Sequence, residues 1–144
     1  MDLTTSYPRS VREKHLGLVQ VARTIDKGKA SLAGKLGEYR YDCPMDQHLF
    51  EFLSIDGNAL LDAIKKSDAA ADDYLKSAIA KKNAADIEKF NREWLDYGPA
   101  PGSDGEKYFL DLRGQVAPDR TDVTAWADLL DLDEKRPVPR RVHA

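Results

Sequence analysis

No stretch of this 144-residue chain alternates apolar and polar residues for long enough to form a half-buried strand, whereas apolar residues recur throughout at spacings of three and four. The second spacing is that of one helix face, so the chain is read as all-α. Signals that start helices recur in step with it. Ser10 and Glu13 have capping-box spacing, with Val11, Leu18, Ala22 and Ile25 following on one face. That pattern predicts a first helix from Ser10 to about Lys27. Pro44 suits the first turn of a second helix, with Met45, Leu49 and Phe52 inward. Leu60, Ala63 and Ile64 mark a third helix, and Ala71, Leu75 and Ala78 a fourth, capped by Ser67 or Asp68. Asn83 opens a fifth with the clearest apolar stripe: Ile87, Phe90, Trp94 and Tyr97. Ser103 and Glu106 repeat the capping box before Tyr108, Phe109, Leu112 and Val116. Thr121 or Asp122 opens a last helix carrying Val123, Trp126, Ala127 and Leu130.

Six or seven short helices joined by short loops predict an irregular bundle. The expected organisation is a single helical domain over 1–134 and a basic, flexible tail over 135–144. The loop at 98–103 is the natural place for a division into lobes.

Charge narrows the function classes. Residues 1–45 carry eight Lys or Arg against five Asp or Glu, and residues 46–134 carry ten against twenty. The tail then adds Lys135, Arg136, Arg140 and Arg141. A largely acidic body lacks the clustered cations that phosphate backbones require, so nucleic acid is not an expected partner. No apolar run is long enough to cross a bilayer, and no basic segment followed by an apolar one opens the chain. One cysteine permits no internal disulfide, which fits a reducing compartment and a cytoplasmic protein.

The stretch "GEYRYDCPMD", Gly37–Asp46, holds that cysteine. Pro44 at the first helical position makes Cys43 the N-cap. There the free backbone N–H groups and the helix dipole favour a thiolate, whereas burial would make it an inert packing residue. His48 is five residues on, about 7.5 Å of rise and more than 100° of rotation away, which argues against a local thiol–imidazole dyad. On the expected first helix His15 falls in the apolar sector as a core histidine. Arg23, Asp26 and Lys27 lie at the edge of that sector. Their spacing predicts an Arg23–Asp26 pair, either at a helix seam or in a polar pocket where Arg23 or Lys27 holds an anion. Asp42, Cys43, Asp46 and His48 match no zinc or calcium spacing, so no metal is expected. "GSDGEK" is only a fragment of a phosphate loop, and no cofactor loop or catalytic set is found.

Several segments together carry a resemblance. They are Pro8–Ser10, Arg23, Ile25–Lys27, Gly37–Tyr39, Cys43–Asp46 and Phe50–Leu53, with "TAWADLLDLDEKR" towards the end. This pattern resembles domain-of-unknown-function family 5069, a family of small bacterial proteins. The resemblance implies a bacterial, cytosolic, helical protein and brings no activity with it. It covers the same polar residues that the helical wheel selects.

The candidate ligand-binding set is therefore Arg23, Asp26, Lys27, Tyr39, Tyr41, Cys43 and Asp46. The first functional expectation is a non-catalytic helical module that acts through an unknown protein partner or self-association, without cofactor, nucleic acid or membrane. The alternative is a small anionic-ligand-binding protein or enzyme, with a polar pocket formed by the first helix and the Gly37–Asp46 connector.

Overall fold

The computed structural model describes residues 1–140; Arg141 and the rest of the basic tail lie outside them. Among the described residues there are seven α-helices and no strand, so the fold is all-α. The helices are α1 (Val21–Leu32), α2 (Pro44–Leu53), α3 (Gly57–Lys66), α4 (Asp68–Ile79), α5 (Ala84–Asp96), α6 (Asp104–Val116) and α7 (Trp126–Asp133). The chain divides into two compact units, Met1–Lys89 and Phe90–Ala144. The division falls inside α5, not in the loop at 98–103.

Most of the start signals act as sequence patterning predicts. Ser67, Asn83 and Ser103 each accept a backbone N–H of the following turn through a side-chain oxygen, and Asp56, not among the start signals read from the sequence, does the same for α3. Glu106 answers Ser103 by accepting from the Gly102 N–H at 3.1 Å. Each pair of bonds satisfies donors that a helix end otherwise leaves unpaired.

The N-terminal segment departs from expectation. Ser10 and Glu13 close one turn, not a helix: the Ser10 hydroxyl accepts from the Arg12 N–H, and its carbonyl accepts from the Glu13 N–H. The chain then reverses at Leu16 and Gly17, both with positive φ, as His15 and Leu18 exchange backbone hydrogen bonds. Positive φ at both central residues is the hairpin-turn geometry, which Gly17 adopts freely and Leu16 only at a cost. With the segment turned and not helical, Arg9 meets Asp26 and Gln20 meets Asp46. Gln20, also at positive φ, leads into α1. The expected helix thus starts eleven residues later and runs past Gly28 to Leu32.

In the first unit, α3 and α4 form an antiparallel pair, and α1 and α2 pack on α3. Gly28 makes the α1–α3 approach possible, because a methyl group there would sit 2.7 Å from Ile64 Cδ1. Leu18, Leu49, Leu60 and Leu75 are fully buried. In the second unit, Phe109, Val123 and Leu129 form a core, and Leu112, Val116, Trp126 and Leu132 pack against it. The last helix begins at Trp126, capped by Ala125, because residues 119–124 are spent on turns and on Arg120 and Arg113 contacts. Tyr97 and Tyr108, expected in apolar stripes, are exposed. The tail residues Arg136 and Arg140 have partners: Arg136 meets Asp131 and Glu134, and Arg140 meets Asp119 and Asp122.

Gly98 holds the second unit together at close range, because a Cβ there would lie 2.3 Å from the Thr124 carbonyl oxygen. The Tyr97 carbonyl next to it accepts from the Trp126 N–H at 2.9 Å. Gly98→Ala should therefore destabilise the protein by about 1–3 kcal/mol, through backbone displacement. Thermal unfolding followed by circular dichroism should show a lowered midpoint; an unchanged midpoint would mean that this contact is soft.

Candidate functional site

The polar residues of interest gather where α1 meets the start of α2. Every residue of α1 from Val21 to Gly28 is buried, including Arg23, Asp26 and Lys27. Three charged side chains on this buried part of α1 demand internal partners. Each is met differently.

Lys27 is 4% exposed and its Nζ lies 2.7 Å from Asp46 Oδ2, while Asp46 is fully buried. The same ammonium points a proton at Cys43 Sγ, 3.2 Å away. The Asp46 carboxylate is further saturated. Its Oδ1 accepts from the Thr24 hydroxyl at 2.6 Å and from Gln20 Nε2 at 3.2 Å. Its Oδ2 accepts from the backbone N–H groups of Asp42 and Cys43, at 3.1 and 3.3 Å. Gln20, Thr24 and Lys27 are spaced by four and three residues, so they face Asp46 from one side of α1.

Cys43 is the N-cap of α2 and Pro44 its first residue, as the sequence predicts. Asp46 occupies the third position and turns its carboxylate back onto the Cys43 N–H. In this way the acidic residue of the first turn both caps α2 and anchors α1. Cys43 as a residue is partly exposed.

The expected Arg23–Asp26 pair is replaced by another. Asp26 is clasped by Arg9: Nε and Nη2 donate at 3.1 Å to Oδ2 and Oδ1, and the Arg9 backbone N–H donates to Oδ2 at 2.8 Å. The hydrogen bond to Asp26 holds the Arg9 guanidinium pKa above its ordinary value. Arg23 donates to the Arg9 carbonyl at 3.3 Å and lies over the Tyr39 ring, 5.6 Å from its centroid. Helical spacing put Arg23 and Asp26 within reach of each other. The turns before α1 bring in a better partner, a guanidinium whose fork matches the carboxylate.

Tyr41 serves the fold. Its hydroxyl donates to the Gly57 carbonyl at 2.7 Å, and its ring meets Phe50 with centroids 6.1 Å apart. Burial, reinforced by Asp46, Asp42 and Asp56, pushes its phenol pKa well above the ordinary range, so it stays a neutral donor. His15 is not a core residue on a helix but sits in the Leu16–Gly17 turn. Its Nε2 is 2.7 Å from Asp72 Oδ1 on α4.

Of the seven candidates, the structure thus joins Lys27, Cys43 and Asp46 in one cluster and Arg23 with Tyr39 beside Arg9. Asp26 goes to Arg9, and Tyr41 to α3. Sequence reasoning missed Arg9, Gln20 and Thr24. Gln20, Thr24 and Lys27 did carry a signal, a polar line at helical spacing inside an otherwise apolar segment. Arg9 carried none locally, since its partner lies seventeen residues away. Among the described residues, no group of three His, Cys, Asp or Glu side chains is placed to hold a metal ion, and no helix is long and apolar enough to cross a membrane.

The sequence matches the family model described as a domain of unknown function, DUF5069, over residues 5–136. The chain belongs to this family. The matched region takes in both Arg9–Asp26 and Lys27–Asp46, so all the paired residues of α1 lie within the DUF5069 domain. No curated protein matches the sequence.

The Arg9–Asp26 clasp is asymmetric, because the Arg9 side chain is 39% exposed and that of Asp26 is 4% exposed. Arg9→Ala strands a buried carboxylate, whereas Asp26→Ala leaves a guanidinium that water can reach. Arg9→Ala should cost about 3–5 kcal/mol and Asp26→Ala clearly less. Urea unfolding of both variants checks the order; equal losses would show that Asp26 is not sealed from solvent.

Proposed function

We propose that this DUF5069 protein is a non-catalytic helical module of the bacterial cytoplasm, acting through a protein partner or through self-association. The observation that carries this reading is the closure of the polar cluster. Both Asp46 oxygens are taken by donors of the chain itself, and Lys27 is committed to Asp46 and Cys43. Lys27, one of the two cations that an anionic ligand would use, is already paired with Asp46. Tying the turns before α1 to the start of α2 is work enough for these bonds.

The partner side of the reading rests on the surface. α6 spans thirteen residues and buries only Phe109, while Tyr108 and Leu110 stand 62% and 45% exposed. The acidic body favours a protein partner over nucleic acid. The single cysteine and the bacterial character of the family support the cytoplasmic placement.

A second reading is favoured by one contact. Lys27 Nζ donates to Cys43 Sγ at 3.2 Å, and Cys43, a partly exposed residue, stands at a helix N-terminus. An enzyme or ligand-binding protein built on that thiol is the alternative.

Thiol reactivity separates the two. With a disulfide reagent, native Cys43 should react more slowly than the unfolded chain at every pH, because Lys27 and the connector restrict access. Faster reaction of the native thiol near neutral pH would move the enzyme reading to first place.

A further inference from the structure

Cys43 and Lys27 meet where an oxidised sulfur has few other outlets. The Lys27 ammonium donates to Cys43 Sγ at 3.2 Å and lies 2.7 Å from Asp46 Oδ2. The Lys27 side chain is 4% exposed, so it has little freedom to swing elsewhere. Cys43, a partly exposed residue, stands at the start of α2. Sulfur and nitrogen are thus held in contact from two helices, with a carboxylate against the nitrogen.

The local sequence limits what that sulfur can do once oxidised. A cysteine sulfenic acid condenses with a second thiol or with a backbone nitrogen. The chain has one cysteine, so no internal disulfide can form. The next residue is Pro44, whose nitrogen carries no hydrogen, so ring closure onto the following peptide nitrogen is shut as well. The Lys27 amine is left as a nitrogen nucleophile already in contact with the sulfur.

We infer that Lys27 and Cys43 form a redox modification site, at which hydrogen peroxide joins Nζ to Sγ through a reversible sulfenamide bond. The Cys43 thiol first takes one oxygen from peroxide, giving the sulfenic acid and water; the sulfur is oxidised and the peroxide bond is reduced. Lys27 then passes one ammonium proton to Asp46 Oδ2, and the freed amine attacks the sulfenyl sulfur. The S–N bond forms, the S–O bond breaks, and the hydroxyl leaves as water with a second proton from the nitrogen. One thiol, one ammonium, one carboxylate and one peroxide thus give a sulfenamide, a carboxylic acid and two waters. The link ties α1 covalently to the start of α2 and takes the charge of Lys27 away from Asp46. Oxidation exchanges the ion pair for a bond. The inference is independent of both functional readings, because the link needs neither a partner nor a substrate.

The test treats the folded full chain with hydrogen peroxide, digests it with trypsin without reductant and reads the peptides by mass spectrometry. Trypsin should fail after Lys27. The peptide Thr24–Lys29 should appear joined to Tyr41–Lys65, lighter by two hydrogen atoms than the two apart. A thiol reductant should separate them. Met45 lies in the second peptide and takes up oxygen on its own, so fragment ions must place the link on Lys27 and Cys43. Cys43→Ser keeps a good N-cap residue, should fold, and should give no joined peptide. In a chain unfolded in guanidinium chloride before treatment, the yield of the link should fall about tenfold or more, because the two groups are no longer held together. Recovery of Cys43 only as sulfinic or sulfonic acid, as a disulfide between two chains, or unchanged overturns the inference. So does a link that goes to another lysine or forms equally in the unfolded chain.

Discussion

The first unit depends on one ion pair in a place where ions are costly. Lys27 and Asp46 are withdrawn from water almost completely, and each would be intolerable there alone. Together they fix three things. The lysine sets the rotation of α1. The carboxylate caps α2 through the Cys43 N–H. Gln20, which donates to the same carboxylate, is held at positive φ where the N-terminal turns become helix. A hydrophobic pair of equal volume could pack as tightly. It could not hold Gln20, Thr24 and two backbone N–H groups at the same time, since those donors need an acceptor.

Arg9–Asp26 repeats the device at the residue before Lys27. It secures the segment before α1, whose backbone includes Leu16, Gly17 and Gln20 at positive φ. A strained, irregular lead-in persists only where surrounding contacts over-determine it. Here those contacts are the Arg9 clasp, the Gln20–Asp46 bond and the His15–Asp72 contact on α4. The second unit is organised differently, around Phe109, Val123 and Leu129. Its charges, such as Arg120 on Asp122 and Arg140 on Asp119, lie nearer the surface.

Helix type and number were legible in the sequence because caps and apolar spacing are local. Ser67, Asn83 and Ser103 need only the next turn to act. Cys43 before Pro44 was legible for the same reason. The N-terminal turns were not, because Ser10 and Glu13 suit a single turn as well as a helix. Nothing local reports that Arg9 must reach Asp26 or Gln20 reach Asp46. The exposure of Tyr97 and Tyr108 was hidden likewise, since an apolar stripe says which face could be buried and not whether a neighbour covers it. Lys27 and Asp46 were both selected as candidates, yet their pairing across eighteen intervening residues is a tertiary fact.

Lys27 and Asp46 are partners in folding before they are anything else. A double-mutant cycle with Lys27→Met and Asp46→Asn, read by urea unfolding, tests this most directly. Each single change should cost about 3–5 kcal/mol, and the two should be coupled by about 2–3 kcal/mol. Small, additive losses of the size seen for exposed pairs, together under about 1 kcal/mol, would contradict it.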